Sequence, residues 1–369
     1  MTAAERSWVE AGLLDPTAPG ADDRRQLLTW LHGLGLSLDQ MVEAHGRGRL
    51  FGLAGDVQAR PERPSLTLEA AAPRAGLSPT LLAEVWRRAG FADPAPGDPV
   101  LAPREADAFA VLGAAVEFLG EDTVLRLAAT VGTAVRRMAE AVIVAGIEES
   151  SDMLLDRSAN ELATAQTYHL AMSMVDPFLD YVDTLFRLHH EAGNRHVELG
   201  LLLGDAVGTT VRLAVGFADL SGYTSLAQTL SRAQLAELVH RFAAWAGDVV
   251  TQAGGRLVQQ LGDAVMLVGS PASVAVAAVR LSAGPGEGVL PPLRAGAAFG
   301  DVVLEGGDYF GPVVNLAARL TTDAAPTETL VDPALAAALG REAWELTATP
   351  ERRLKGIAEP VTAYRLSAR

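Results

Sequence analysis

The sequence predicts two domains: an all-α N-terminal half (1–196) and an α+β, ferredoxin-like half (211–369), joined by a segment at 197–210. Three observations carry this. At 369 residues the chain is long for a single domain. Up to about residue 192, apolar residues recur at helical spacing between Pro- and Gly-rich turns. From Val211 the period changes, and strand and helix patterns follow in the order β-α-β-β-α-β.

Composition narrows the function classes. Hydrophobic residues make up 49%, ample for large cores, yet no apolar run reaches the roughly 18 residues of a membrane span. The opening MTAAERSWVEAGLLD carries acids and lacks the apolar stretch of a signal peptide, so a cytoplasmic location is expected. The absence of Cys removes disulfides, thiolate nucleophiles and Cys-ligated zinc. A net charge of -15 argues against nucleic acid or an anionic membrane as partner. A phosphorylated ligand must then be held by metal or by locally placed cations. Lys355 is the one lysine in the chain.

Taken in order, DRRQLLTWLHGLGLSLDQMVEAHGRGRL reads as two helices around a Gly turn. In AGLSPTLLAEVWRRAGF, Ser78 can cap a helix whose first position is Pro79. The acidic balance makes these packing units rather than DNA-reading ones. PAPGDPVLAP (94–103) is a rigid connection. Two long helical segments follow over 104–145, broken near Gly120-Glu121-Asp122, and another covers about 157–192 with a kink at Asp176-Pro177. His169, His189, His190 and His196 gather just before the junction. They read either as ordinary helix-surface residues or as a proton-sensing junction, since His titrates near neutral pH. ELGLLLGDAVGTT (198–210) is a linker or a switch segment.

In the second half, VRLAVGFADL alternates apolar positions, and Asp219 continues the parity of Val211, Leu213, Val215 and Phe217. A carboxylate carried toward an apolar face needs a cation or a metal beside it; the plain alternative is an acid capping the helix that follows. The turn Ser221-Gly222-Tyr223-Thr224 can present backbone N–H groups to phosphate oxygens. A helix is expected over 224–249, then a hairpin with Leu261-Gly262-Asp263 at its tip, and a helix over 271–282. LRAGAAFGDVVLEG reads as strands around a turn, Pro312 opens a helix, and RRLKGIAEPVTAYRL forms a closing hairpin. The helices are expected on one face of the sheet. Asp219 and Asp263 then stand at loop ends of adjacent strands, a donor set that suits Mg²⁺ or Mn²⁺ better than zinc. Asn315 and Arg319, at i and i+4, share a helix face that can hold a sugar and a phosphate; a solvated charge is the plain alternative for Arg319.

Three blocks in this order and spacing, FADLSGYTSL, QQLGDAVML and DYFGPVVNLAAR, resemble the signature blocks of class III nucleotidyl cyclases. The resemblance covers about 207–369. The layout with a helical first half is similar to adenylyl cyclases that carry a pH-responsive autoinhibitory regulatory domain. It implies an enzyme that converts ATP to 3′,5′-cyclic AMP and pyrophosphate at the interface of a homodimer. Asp219, Asp263 and the Leu220 carbonyl would ligate two Mg²⁺ or Mn²⁺ ions. Asn315 would orient the ribose, Arg319 would stabilise charge on the α-phosphate, and Lys355, with Arg353 as competitor, would bind the outer phosphates. Adenine would be read by Asp308 and Gln259. The family's adenylyl type usually has Lys at the latter position, and its guanylyl type has Glu there. That departure leaves two rival readings: a guanylyl or mixed-specificity cyclase, and a nucleotide-binding sensor with a degenerate site.

Overall fold

The structure, a computed structural model, describes the chain except residues 156–159, 203–205, 208, 287 and 341–342, and except the side chains of 147–155, 194–202 and 206–207. Backbone packing divides it into two units, Met1–Glu191 and Ala192–Arg369.

The first unit is built of helices whose ends follow local chemistry. α1 (Ala3–Glu10), α2 (Ala21–Gly33), α3 (Leu38–Gly46) and α4 (Leu53–Ala59) surround one core of Leu27, Leu28, Leu31 and Met41. α5 (Leu68–Ala75), α6 (Pro79–Arg88), α7 (Pro103–Ala108) and α8 (Ala110–Leu119) share a second core around Ala72 and Leu82. α9 (Glu121–Leu155) lends Ala128 to the second core, and α10 (Glu161–Ser173) lends Ala165 to the first. Ser78 Oγ accepts the Leu81 N–H with Pro79 in the first turn, and Gly120, at φ 78°, ends α8 where the break was expected. The expected kink at Asp176-Pro177 is instead a full stop at Met174. α11 (Val175–Leu202) restarts there and takes Pro177 into its first turn, where Pro costs little.

The second unit contains β1 (Ala206–Val207), β2 (Thr210–Leu220), α12 (Tyr223–Ala227), α13 (Arg232–Gln252), β3 (Arg256–Leu261), β4 (Ala264–Gly269) and α14 (Pro271–Ala283). It continues with β5 (Leu293–Glu305), β6 (Asp308–Phe310), α15 (Pro312–Asp323), β7 (Thr329–Val331), α16 (Pro333–Leu339), β8 (Trp344–Ala348) and β9 (Tyr364–Ala368). The sheet order is β3-β4-β2-β5-β7-β9-β8, with β1 added to β2 and β6 to β5. Its first four strands are antiparallel and are connected through α13 and α14 in the ferredoxin-like manner.

Four local expectations are corrected. The segment at 224–249 is two helices, because Ser231 and Gln234 form a capping box that starts α13 afresh. LRAGAAFGDVVLE is one continuous strand, since it pairs with β2 along the whole of that strand. β9 pairs with β8, while RRLKG lies in the loop between them, where Arg352 bridges Val361 and Leu354 packs in one cluster with Leu330 of β7. Helices cover both faces of the sheet. Ala214, Ala218 and Leu220 pack with Phe242 of α13 and Leu281 of α14, whereas Leu213, Val215 and Phe217 pack with Ala317 of α15.

α15 approaches β5 closely because Gly296 has no side chain: a Cβ there would lie 2.2 Å from the Thr321 nitrogen and 2.7 Å from the Leu320 carbonyl carbon. Thr321 Oγ1 donates to the Ala317 carbonyl at 2.9 Å and is itself buried in this seam. Gly296→Ala is expected to destabilise the second unit by roughly 1–3 kcal/mol. Urea denaturation of the full chain, followed by hydrogen exchange at the β2 and β5 amides, measures it. An unchanged midpoint would mean that the seam yields freely.

Candidate active site

The site grows from the C-terminal end of β2. Leu220 is 1% exposed, its side chain sunk among Ala218, Phe242 and Leu293, so the strand end is fixed and Asp219 is directed to the α15 face. The β3–β4 hairpin turns at Gly262 (φ 66°), and the Asp263 carbonyl accepts the Leu220 N–H at 3.0 Å. That bond sets the hairpin tip against the end of β2 and brings the Asp263 and Asp219 carboxyls together. Burial is the main cause of a raised Asp263 pKa, the Asp219 carboxylate adds to it, and Arg294 opposes it.

Arg294 was not among the residues that the sequence points to. It stands directly across from Asp219 in the β2–β5 register. Its Nε and Nη2 donate to Asp219 Oδ2 at 3.0 and 2.7 Å, and its Nη1 donates to the Thr322 carbonyl of α15 at 2.8 Å. One guanidinium thus supplies the cation that Asp219 needs and ties two layers together. The only sequence-level signal was an Arg at a strand start, and its partner is visible only once the register is known.

Beyond Asp219, Ser221 N–H donates to the Pro292 carbonyl at 2.7 Å, and Ser221 Oγ is buried with no hydrogen-bond partner. Native structures satisfy most such atoms, so a buried orphan beside two carboxylates fits a ligand-binding cradle. Gly222, at φ 77°, reverses the chain, Thr224 is exposed and Tyr223 packs partly against the core. α12 has only five residues, so the turn offers little helix dipole.

Gln259 reaches the same face through a bulge. Leu257 lies opposite Leu267, but the register then shifts, and Gln259 rather than Val258 lies opposite Met266. Because Met266 packs with Phe217 on the α15 face, the extra residue turns Gln259 to the side of the sheet that carries Asp219. Asp308 begins β6, and its Oδ1 accepts the Tyr309 N–H at 2.8 Å.

Asn315 and Arg319 are exposed on α15, opposite its buried Ala317 and Leu320. Among the described residues, no hydrogen bond or ion pair joins either side chain to Asp219 or Asp263. The loop carrying Lys355 is anchored by buried Leu354 and by Arg352, which pairs with Asp323 at the end of α15. Arg353 and Lys355 are left exposed. In the other unit, His169 lies against Trp30, with ring centroids 5.6 Å apart, and its Nδ1 is 3.3 Å from the Ala54 carbonyl. It therefore sits apart from exposed His189 and from His190, which stacks on Phe186. The His196 side chain lies outside the described residues.

Asp219, Asp263, the buried Ser221 hydroxyl and the nearby turn offer hard oxygen donors suited to Mg²⁺ or Mn²⁺. Clusters of three or more His, Cys, Asp or Glu are absent among the described residues, so carbonyl and phosphate oxygens would have to complete any coordination shell.

No family model matches the sequence. An uncharacterized protein of Mycobacterium tuberculosis is 40% identical over 358 residues, covering 96% of this chain and 92% of that protein. An adenylate cyclase of Streptomyces coelicolor is 36% identical over 277 residues, covering 73% and 71%. A pH-sensitive adenylate cyclase of Mycobacterium tuberculosis is 30% identical over 308 residues, covering 79% and 75%.

The raised Asp263 pKa has a measurable consequence. The folded carboxyl keeps its proton to a higher pH than the unfolded one, whose ordinary value is 3.8. Ionisation therefore costs the folded state, and this destabilisation grows as pH rises past that value, then levels off above the folded pKa. In metal-free buffer, Asp263→Asn should raise the melting temperature at pH 7 and leave it nearly unchanged near pH 3.5. A variant less stable at pH 7 would show that the two carboxylates do not strain the fold.

Proposed function

The chain belongs to the class III adenylyl cyclases, and from that premise we propose that it converts ATP to 3′,5′-cyclic AMP and pyrophosphate at sites shared by two copies of the chain. The observation that carries this reading is the meeting of Asp219 and Asp263 at one strand end, beside the partnerless Ser221 hydroxyl. Asp219, Asp263 and the Leu220 carbonyl would hold two Mg²⁺ or Mn²⁺ ions, which when bound acidify the ribose 3′-hydroxyl and neutralise the departing pyrophosphate. The 3′-oxygen gives up its proton to water and bonds the α-phosphorus as the bond to pyrophosphate breaks.

The chain's own residues bind and orient the nucleotide. The Asn315 amide holds the ribose, and Arg319 faces the negative charge that grows on the α-phosphate. Lys355 or Arg353 binds the outer phosphates from a loop that Arg352 and Leu354 keep in place. Gln259 donates its amide N–H to adenine N1, and Asp308 accepts from the N6 amino group. A neutral donor in place of a charged one favours a second reading, in which ATP is preferred over GTP only weakly.

Composite sites are supported by the exposure of Asn315 and Arg319 and by two apolar side chains at the rim. Leu261 beside Asp263 is 47% exposed, and Phe310 beside Asp308 is 51% exposed. Each site would combine Asp219 and Asp263 of one copy with Asn315, Arg319, Gln259 and Asp308 of the other. The first unit would act as a regulator, with His189 and His190 of α11 responding to pH. The name of the pH-sensitive relative supports this role.

Turnover with ATP or GTP and Mn²⁺ tests the reaction and its specificity together. Asp219→Ala and Arg319→Ala are each expected to lose at least a hundredfold in kcat, since each removes charge stabilisation of the reacting phosphates. Mixed, they should regain activity, because one site in each heterodimer keeps every group. Heterodimers seen by native mass spectrometry without recovered turnover would place the whole site within one chain.

If the first unit senses protons, the ATP turnover of the full chain should change steeply between pH 5.5 and 8. The His189→Gln, His190→Gln double variant should flatten that profile. Superimposable profiles would remove these two histidines from regulation.

A further inference from the structure

Purine recognition on the reading above depends on two side chains that lie on separate strands and share no hydrogen bond. Gln259 is on β3, an edge strand of the sheet, turned by a bulge. Asp308 opens β6, which has three residues and pairs with three of β5. Neither element is rigid by itself: a bulge interrupts the ladder of one, and the other is too short to stand alone.

A third side chain joins them. Arg256 starts β3, and its guanidinium lies over the Tyr309 ring, 5.3 Å from the centroid. Tyr309 is 5% exposed and packs with Phe217 and Met266. Its backbone N–H is the donor to Asp308 Oδ1. Arg256 has no carboxylate partner among the described residues. Arg256 keeps access to solvent, while the packing around its guanidinium desolvates it enough to push its pKa down. A partly desolvated cation is drawn to an aromatic face more strongly than a fully hydrated one. Arg256, Tyr309 and Asp308 thus form a continuous link from β3 to β6.

We propose that Arg256 is a positioning residue for purine recognition: by clamping Tyr309 it fixes Asp308 relative to Gln259 and so sets the preference for a 6-amino over a 6-oxo purine. The inference rests on the nucleotide site proposed above and goes beyond it. A clamp that only stabilised the fold would affect both nucleotides alike. A clamp that places Asp308 affects the two nucleotides differently: a displaced carboxylate loses its bond to the 6-amino group of adenine, whereas it repels the guanine O6 no more than before, so GTP binding is unchanged or slightly stronger.

Calorimetric binding of ATP and of GTP to the full chain with Mn²⁺, with turnover measured on the same samples, tests this. Arg256→Met keeps an apolar stem and loses the cation. It should weaken ATP binding about tenfold, within the range of a partly buried cation–π contact, and change GTP binding little. Arg256→Lys should recover most of the lost ATP affinity. Equal losses for both nucleotides, no loss for either, or no recovery with Lys would each overturn the positioning role. If Arg256→Met does not fold, Tyr309→Leu, which keeps the apolar fill, decides by the same ratio. Wild-type protein that binds neither nucleotide would overturn this inference together with the site it rests on. Binding with the predicted ratios but without turnover would overturn the cyclase reading and leave the role of Arg256 standing.

Discussion

Two carboxylates set side by side at the end of a buried strand repel one another and lose hydration, so the chain around them must supply positive charge and fixed geometry. Much of the second unit answers that constraint. Arg294 meets Asp219 from the neighbouring strand and reaches on to α15 through the Thr322 carbonyl. The Leu220–Asp263 backbone bond holds the hairpin tip where its carboxyl is unfavourable, as the raised pKa records. Such strain is stable only when surrounding packing over-determines it. Here that packing is the Leu220 side chain, buried between strands and helices with its backbone at the site.

The two faces of the sheet divide the labour. On one, α13 and α14 bury Phe242, Leu267 and Leu281 in a continuous apolar core, a face that answers for stability. On the other, α15 covers Phe217 and Met266, and this face also carries the polar side chains of Asp219 and of Gln259, which lies opposite Met266. Gly296 and Gly300 let α15 sit close, since a Cβ at Gly300 would lie 2.9 Å from Val313 Cγ2. Holding α15 tightly would serve the proposed site, because among the described residues Asn315 and Arg319 have no hydrogen-bond or ion-pair partner to fix their side chains.

What was legible in the sequence was whatever depends on period and on local caps. The parity that places Asp219 on the side of Phe217, the Ser78-Pro79 helix start and the stop at Gly120 all follow from neighbours within a few residues. What depends on pairing was not legible. Arg294 matters because it lies opposite Asp219, a fact of register across 75 residues of sequence. The bulge that turns Gln259 to the site's face leaves no mark in RLVQQL. The closing hairpin was misplaced for the same reason: RRLKG and VTAYRL look complementary, yet Trp344–Ala348 takes the ladder.

On the nucleotide site proposed above, a neutral amide at Gln259 would shift the burden of specificity. A hydrogen bond to a charged donor contributes about 1.5–3 kcal/mol, and a neutral one about 0.5–1.5 kcal/mol. With the smaller value on the N1 side, most discrimination between the purines would fall to Asp308, which would both attract an amino group and repel a carbonyl oxygen. Repulsion depends steeply on distance and direction, so its selectivity is lost if the carboxylate can swing away. A site that reads its base mainly by one carboxylate therefore gains more from rigidity than from an additional weak donor. β6 is short, and its carboxylate is held by its own neighbour's N–H. On that reading the rigidity would come from the tertiary contacts of Tyr309, whose ring packs into the sheet core and carries the Arg256 guanidinium over its face.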